Sequence, residues 1–192
     1  SKFSATRSPS KPLVQRSMQS LRAAATAGVI GVAGDLLMQW KEGRRSVDWA
    51  RAGRLAAYRT VHAPVIDYSW RFFDRAIPFT GVVGVAARVV ADQALLMPPS
   101  LVAFFLSQGA MEGLSAEACV ARVKDAFIPT AMVCAPYWCV VHSLTFSVVP
   151  VDLRIGWASV CAVGWNAIIS DQNQAAIQRA DLPADCKADK GG

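Results

Sequence analysis

Polar side chains set inside otherwise apolar stretches are the first candidates for chemistry in this chain: Asp35, Gln39, Arg88, Asp92, Gln93, Gln108, Glu112, Arg154 and Asn166. An ionisable group in hydrocarbon costs roughly 2.5–3.5 kcal/mol even on lenient insertion scales, so each marks either a solute path or a polar network that ties helices together. Arg88 and Asp92 are four apart on one helical face and are expected to pair. That spacing favours a network fixing helix register over a conduction path. Nucleophilic catalysis needs a Ser or Cys, a base and an orienting group, and no such set is legible. His142 lies in an apolar aromatic stretch and His62 beside Pro64, both read as structural. The five cysteines, Cys119, Cys134, Cys139, Cys161 and Cys186, form no CxxC pair, which argues against zinc and thioredoxin-like chemistry and for small buried hydrophobes. The glycines from Gly28 to Gly34 follow no strand, so a dinucleotide site is not expected. The expectation is a protein without catalytic, cofactor or metal residues.

The elements that must hold these residues belong to a membrane protein. Of 192 residues, 53% are hydrophobic and 18% charged, and the mean hydropathy is +0.29. Ordinary soluble domains carry about 25% charged residues. A net charge of +6 suggests nucleic acid at first sight, but the arginines flank apolar segments, as residues that snorkel to headgroups do. No nucleic-acid partner is expected.

Three regions are predicted. Residues 1–20 form a basic, carboxylate-free, Ser-rich segment, a composition that fits a mitochondrial targeting sequence or its mature remnant and equally a basic membrane-surface tail. Residues 21–171 form the membrane helix bundle, and 172–192 a polar C-terminal tail. Within the bundle, a first helix runs from about Gln19 to Trp40, long enough for a hydrocarbon core of ~30 Å. Its stripe of Gly28, Gly31, Asp35 and Gln39 should face protein rather than lipid, with Gly34 a further packing position. Ala50 to Arg75 reads as a second span or an interfacial helix. Gly81 to Met111 is too long for a straight span, so a kink at Pro98-Pro99 or a strong tilt is expected. Ser115 caps a short amphipathic helix to about Phe127, Ala126 to Val151 is a span or a broken interfacial segment, and Ile155 to Ser170 is the last apolar helix. The fold class is therefore all-α: a polytopic membrane helix bundle of about four transmembrane helices plus short amphipathic or interfacial helices.

At its polar positions the sequence resembles the Mpv-seventeen and peroxisomal-membrane-protein-twenty-two family of small multi-pass organelle proteins. Gly34-Asp35 with Gln39 is similar to that family's first-helix Gly-Asp-x-x-x-Gln signature. Arg51, Arg54, Pro64, Trp70 and Asp74-Arg75-Ala76-Ile77-Pro78 follow, then Arg88, Asp92-Gln93 and Glu112-Gly113-Leu114-Ser115. Trp138, Phe146, Val149-Pro150, Arg154, Trp165-Asn166 and Ser170 resemble the C-terminal signature. Departures are Ala63-Pro64 for Gly-Pro, Ser69-Trp70 for Trp-Tyr, Trp138-Cys139 for Trp-Pro, His142 for Gln, and Thr145-Phe146 for Asn-Phe.

The resemblance implies a non-enzymatic protein of the mitochondrial inner membrane or, alternatively, the peroxisomal membrane, with solute permeation as the usual proposal. Because the departures fall at polar and helix-breaking positions, the scaffold is expected without the conduction. The expected role is an accessory subunit packed in a large inner-membrane complex of respiratory-chain or ATP-synthase type, with a channel-like protein as the alternative. Membrane lipids are the other expected partner, with Arg44, Arg45 and Arg51 placed to contact anionic headgroups such as cardiolipin.

Overall fold

The computed structural model describes residues 13–180, with side-chain surroundings for Met18 and residues 21–168. The basic segment before Leu13 and Cys186 in the tail lie outside the described residues. Six α-helices follow one another: α1 (Leu13–Lys41), α2 (Trp49–Ala76), α3 (Gly81–Ala91), α4 (Met97–Met111), α5 (Ala116–Ser147) and α6 (Arg154–Ala180). A π-helical turn, Asp92–Leu96, joins α3 to α4, and a 3-10 turn, Val151–Leu153, precedes α6.

The helix ends follow from local chemistry. The Asp48 carboxylate accepts the backbone N–H of Arg51 at 2.8 Å and so starts α2. That helix ends where Ile77 turns extended ahead of Pro78, because a residue before proline is disfavoured in the α region. The Ser115 hydroxyl accepts the Ala118 N–H at 3.2 Å and starts α5. The preceding turn passes through Gly113 at φ +80, a conformation that a Cβ makes costly.

Two expectations change. The amphipathic segment from Ser115 and the segment Ala126 to Val151 are one continuous helix of 32 residues, with Pro129 and Pro136 inside it. At 1.5 Å per residue it is about 48 Å long, more than a bilayer core. No Gly-rich turn interrupts it, and proline is tolerated in membrane helices where neighbouring groups satisfy the freed carbonyls. The second change is at Pro98-Pro99, where the break takes the form of the π turn just before them. Prolines lack the N–H that would close ordinary turns, and the Met97 N–H reaches back five residues to the Asp92 carbonyl. Helix α6 also continues past Asp171 to Ala180, into the first residues of the polar tail.

Among the described residues three helical stretches are long and apolar enough to cross a membrane: Leu21–Lys41, Gly81–Met111 and Ala116–Ser147. Helix α2 is too charged to qualify by composition, yet its exposed residues from 57 to 72 are Ala57, Thr60, Val61, Val65, Tyr68 and Phe72, without a charge among them. It therefore stands beside α1 as a membrane helix with its ionic groups turned inward. Gly28 and Gly31 make this possible: a Cβ at Gly28 would lie 2.5 Å from Thr60 Oγ1, and one at Gly31 would lie 2.8 Å from Arg59 Cδ. Gly34 packs likewise against Val163 and Asn166 of α6. The glycine stripe faces protein.

Helices α1, α2, the continuous stretch of α3 and α4, α5 and α6 alternate in direction, which gives the bundle two ends. One carries the α1–α2 and α4–α5 loops; the other carries residues 77–80 and 148–153. The packed apolar cluster of Ala27, Ala63, Trp70, Phe73, Val89, Phe146 and Ile155 lies toward the second end and draws on α1, α2, α3, α5 and α6.

Candidate functional site

The polar residues form tiers along the bundle. At the α1–α2 loop end, Asp35 is only 3% exposed and binds the Arg51 Nε at 2.8 Å and the Gln39 Nε2 at 2.7 Å. Four residues on along α1, Gln39 also clamps the start of α2, donating to the Asp48 carbonyl at 3.0 Å and accepting the Asp48 N–H at 2.6 Å. Arg51 further forms a two-pronged pair with Glu42, at 2.7 and 2.9 Å. The N–H of Arg51 holds the Asp48 carboxyl below the usual carboxylate range, aided by the nearby arginines. On the neighbouring loop, Glu112 pairs with Arg122 at 2.7 Å and lies 4.0 Å from Arg54.

The middle tier centres on Asp92, 4% exposed at the π turn. Its Oδ1 accepts the Trp70 indole N–H at 2.6 Å, and its Oδ2 accepts Gln93 Nε2 at 3.1 Å and lies 3.2 Å from His142 Nε2. Rings enclose it: Trp138 stacks on His142 at 5.1 Å, and Trp70 meets His142 and Phe146 edge-on. The other polar atoms of this cluster, His142 Nδ1 and Gln93 Oε1, are buried without a partner. Trp165 sits nearby on α6, against Tyr137 and Trp138.

Arg88 does not pair with Asp92, contrary to the four-residue spacing. Helical side chains lean toward the N-terminus, so Arg88 reaches back to the Gly84 carbonyl at 2.8 Å, the Ile77 carbonyl at 3.2 Å and the Asp74 carboxylate at 2.9 Å. The other oxygen of Asp74 binds Arg154 Nη1 at 2.6 Å, and the Arg154 guanidinium lies over the Phe146 ring. Asp74 thus joins α2, α3 and α6. Beside it, Arg71 bridges Asp67 at 2.9 Å and Asp152 at 3.3 Å.

Asn166 accepts from Arg59 Nη2 at 3.2 Å. Of the arginines expected at headgroups, Arg51 is committed to Asp35 and Glu42. Arg44 pairs with Glu42 at 3.1 Å but remains exposed, as does Arg45. Arg44 lines a cleft of about 220 Å³ together with Leu36, Gln39, Trp40, Ser46, Val47 and Trp49.

Sequence reasoning did not select Asp74, Trp70, His142 or Arg59 as site residues. For Arg59 a signal existed: it is seven residues after Ala52 and four before Ala63, both buried, so it falls on the inner face of α2. For Asp74 and His142 the partners come from distant segments, and no local spacing announces them.

Among the described residues no cluster of His, Cys, Asp or Glu is able to hold a metal ion. The arrangement suits helix cross-linking inside a low-dielectric medium, where Asp35, Asp67, Asp74 and Asp92 are each matched by a counter-ion or several donors.

Comparisons with known proteins agree with this membrane architecture. The profile of the Mpv17 / PMP22 family matches residues 109–170. The chain is 30% identical over 155 residues to Protein sym1 of Aspergillus oryzae, covering 78% of this chain and 88% of that protein. The chain belongs to the Mpv17 / PMP22 family. Other members that it resembles are the mitochondrial inner membrane protein Mpv17 of Bos taurus, 31% identical over 150 residues (76% and 85% of the two chains), and Protein SYM1 of Saccharomyces cerevisiae, 24% identical over 174 residues (88% of each). No solved structure matches the chain. The protein is thus a family member of the mitochondrial inner membrane, and the profile match covers α5 and α6 as far as Ser170, the stretch that carries His142, Arg154 and Asn166.

Proposed function

We propose that this family member is a non-enzymatic, non-conducting structural subunit packed in a larger complex of the inner membrane. The observation that carries this reading is the apolar cluster of Trp70, Phe73, Val89, Phe146 and Ile155 with Ala27 and Ala63. Side chains from five helices meet there with Asp92 and His142 in the adjoining tier, and a close-packed plug of this kind excludes a water column. The ionic groups support the same reading. Asp35, Asp74 and Asp92 are engaged by Arg51, Arg88, Arg154, Trp70 and Gln93, which fixes the helices against one another. A rigid bundle with apolar outward faces such as Val29, Val61, Val65 and Val160 acts by what it packs against.

Native electrophoresis in mild detergent tests the subunit role. Co-migration with a complex far larger than 20.6 kDa supports it. Migration as a small free particle, from membranes solubilised without loss of other complexes, contradicts it.

A further inference from the structure

We propose that Arg59 and Asn166 form a binding site for a small oxyanion, a carboxylate or phosphate, at mid-depth in the bundle. The depth follows from α1. Gly31, against which the Arg59 stem packs, lies ten residues before Lys41 at the end of the span. At 1.5 Å per residue that is about 15 Å, half of a hydrocarbon core of ~30 Å. Arg59 itself lies ten residues into α2 from Trp49, which gives the same depth from the neighbouring helix. An arginine stem does not reach from there to the headgroup layer.

A guanidinium at that depth needs a counter-charge. Among the described residues Arg59 has none. Its hydrogen bond goes to the neutral amide of Asn166, at 3.2 Å, and its Nε is buried without a partner. The acids of the bundle are held elsewhere: Asp35 by Arg51, Asp67 by Arg71, Asp74 by Arg88 and Arg154, Asp92 by Trp70 and Gln93, and Glu112 by Arg122. Around Arg59, α1 offers Gly31, α2 offers Tyr58 and His62, and α6 offers Asn166, none of them acidic. The Tyr58 hydroxyl is itself donated to the Ser100 carbonyl at 3.0 Å. Arg59 is nevertheless only partly buried, and among the described residues its Nη1 makes no hydrogen bond. A planar fork of N–H donors with an unmatched positive charge recognises carboxylate and phosphate oxygens in a two-pronged manner. The Asn166 Nδ2 supplies one more donor beside it.

The site stands on side-chain geometry and does not depend on any partner subunit. Its test uses the full chain purified in neutral detergent, with thermal unfolding followed in sodium phosphate or sodium succinate against sodium chloride at matched ionic strength. The wild type should be stabilised by phosphate or succinate at millimolar concentration. Arg59→Gln should weaken the apparent affinity at least about tenfold, a loss of ~1.4 kcal/mol, and Arg59→Lys should keep part of the response. Arg59→Met, which removes the unmatched charge without a cavity, should unfold at a higher temperature than the anion-free wild type and ignore both anions. Equal stabilisation of wild type and Arg59→Gln overturns the proposal, as does a wild type indifferent to both anions. A response to added phosphatidylglycerol with none to phosphate also overturns it, because a headgroup site lies at the surface.

Discussion

The carboxylate of Asp74 and the guanidinium of Arg154 meet at 2.6 Å across 80 residues of sequence, with Arg88 on the other carboxylate oxygen at 2.9 Å. One short side chain at the end of α2 thereby sets the positions of α3 and α6. Two cations on one carboxylate leave a net positive charge, which the carbonyls of Ile77, Gly84 and Val149 and the face of Phe146 help to stabilise.

Removing Asp74 should therefore be among the more damaging single changes. Asp74→Ala leaves Arg154 buried without its counter-ion and should cost on the order of 3 kcal/mol. Thermal unfolding in detergent checks this, and Asp74→Glu should recover part of the loss. An Asp74→Ala protein as stable as the wild type would show that the pair contributes nothing.

The contact of α1 with α2 rests on missing side chains. Gly28→Ala places a methyl 2.5 Å from Thr60 Oγ1, too close without movement, and should destabilise by about 1–3 kcal/mol. Thr60→Ala removes the obstructing hydroxyl. In a double-mutant cycle the pair Gly28→Ala, Thr60→Ala should be more stable than the sum of the single changes requires. Strict additivity would mean that the two helices do not approach at this point.

These two relationships differ in how legible they were. The small-residue stripe of α1 was readable because a helix repeats every 3.6 residues, so Gly28, Gly31 and Asp35 share a face whatever they touch. What they touch was not readable. The Arg88 and Asp92 spacing promised a pair, but the backward lean of helical side chains sent Arg88 to Asp74, and the π turn presented Asp92 to Trp70. Pairs such as Asp74 with Arg154 and Asp92 with His142 are set by which helices become neighbours, a property of the whole bundle rather than of any window of sequence. The continuity of α5 was hidden for another reason: Pro129 and Pro136 read as breaks in water, whereas a membrane helix accommodates them.

The cap of α2 should respond to acid. Its folded carboxyl pKa is lowered, so the stabilisation from Asp48 is present above the unfolded value near ~3.9 and is lost as pH falls through the depressed folded value. Hydrogen exchange at the Arg51 amide, corrected for its intrinsic pH dependence, should accelerate below about pH 4 in the wild type. In Asp48→Asn, which keeps an acceptor but no titrating group, that acceleration should be absent. An identical pH profile in both would remove the cap from the account.

At the same end, Trp40 and Trp49 are 78% and 65% exposed and flank the cleft beneath Arg44, as aromatic residues do at a membrane interface. We expect Arg44 and Arg45, and not the committed Arg51, to hold an anionic headgroup such as that of cardiolipin. Native mass spectrometry should show anionic lipid retained by the wild type and lost from Arg44→Ala, Arg45→Ala. Retention by the double variant would contradict the assignment.

The bundle holds Asp35, Asp67, Asp74 and Asp92 against cations or several donors, and its packed apolar cluster closes it to a water column. Electrical recording from the purified protein reconstituted alone into liposomes tests this most directly. Conductance indistinguishable from that of protein-free liposomes is the expected result, whereas robust single-channel currents that disappear in Asp92→Ala would contradict it.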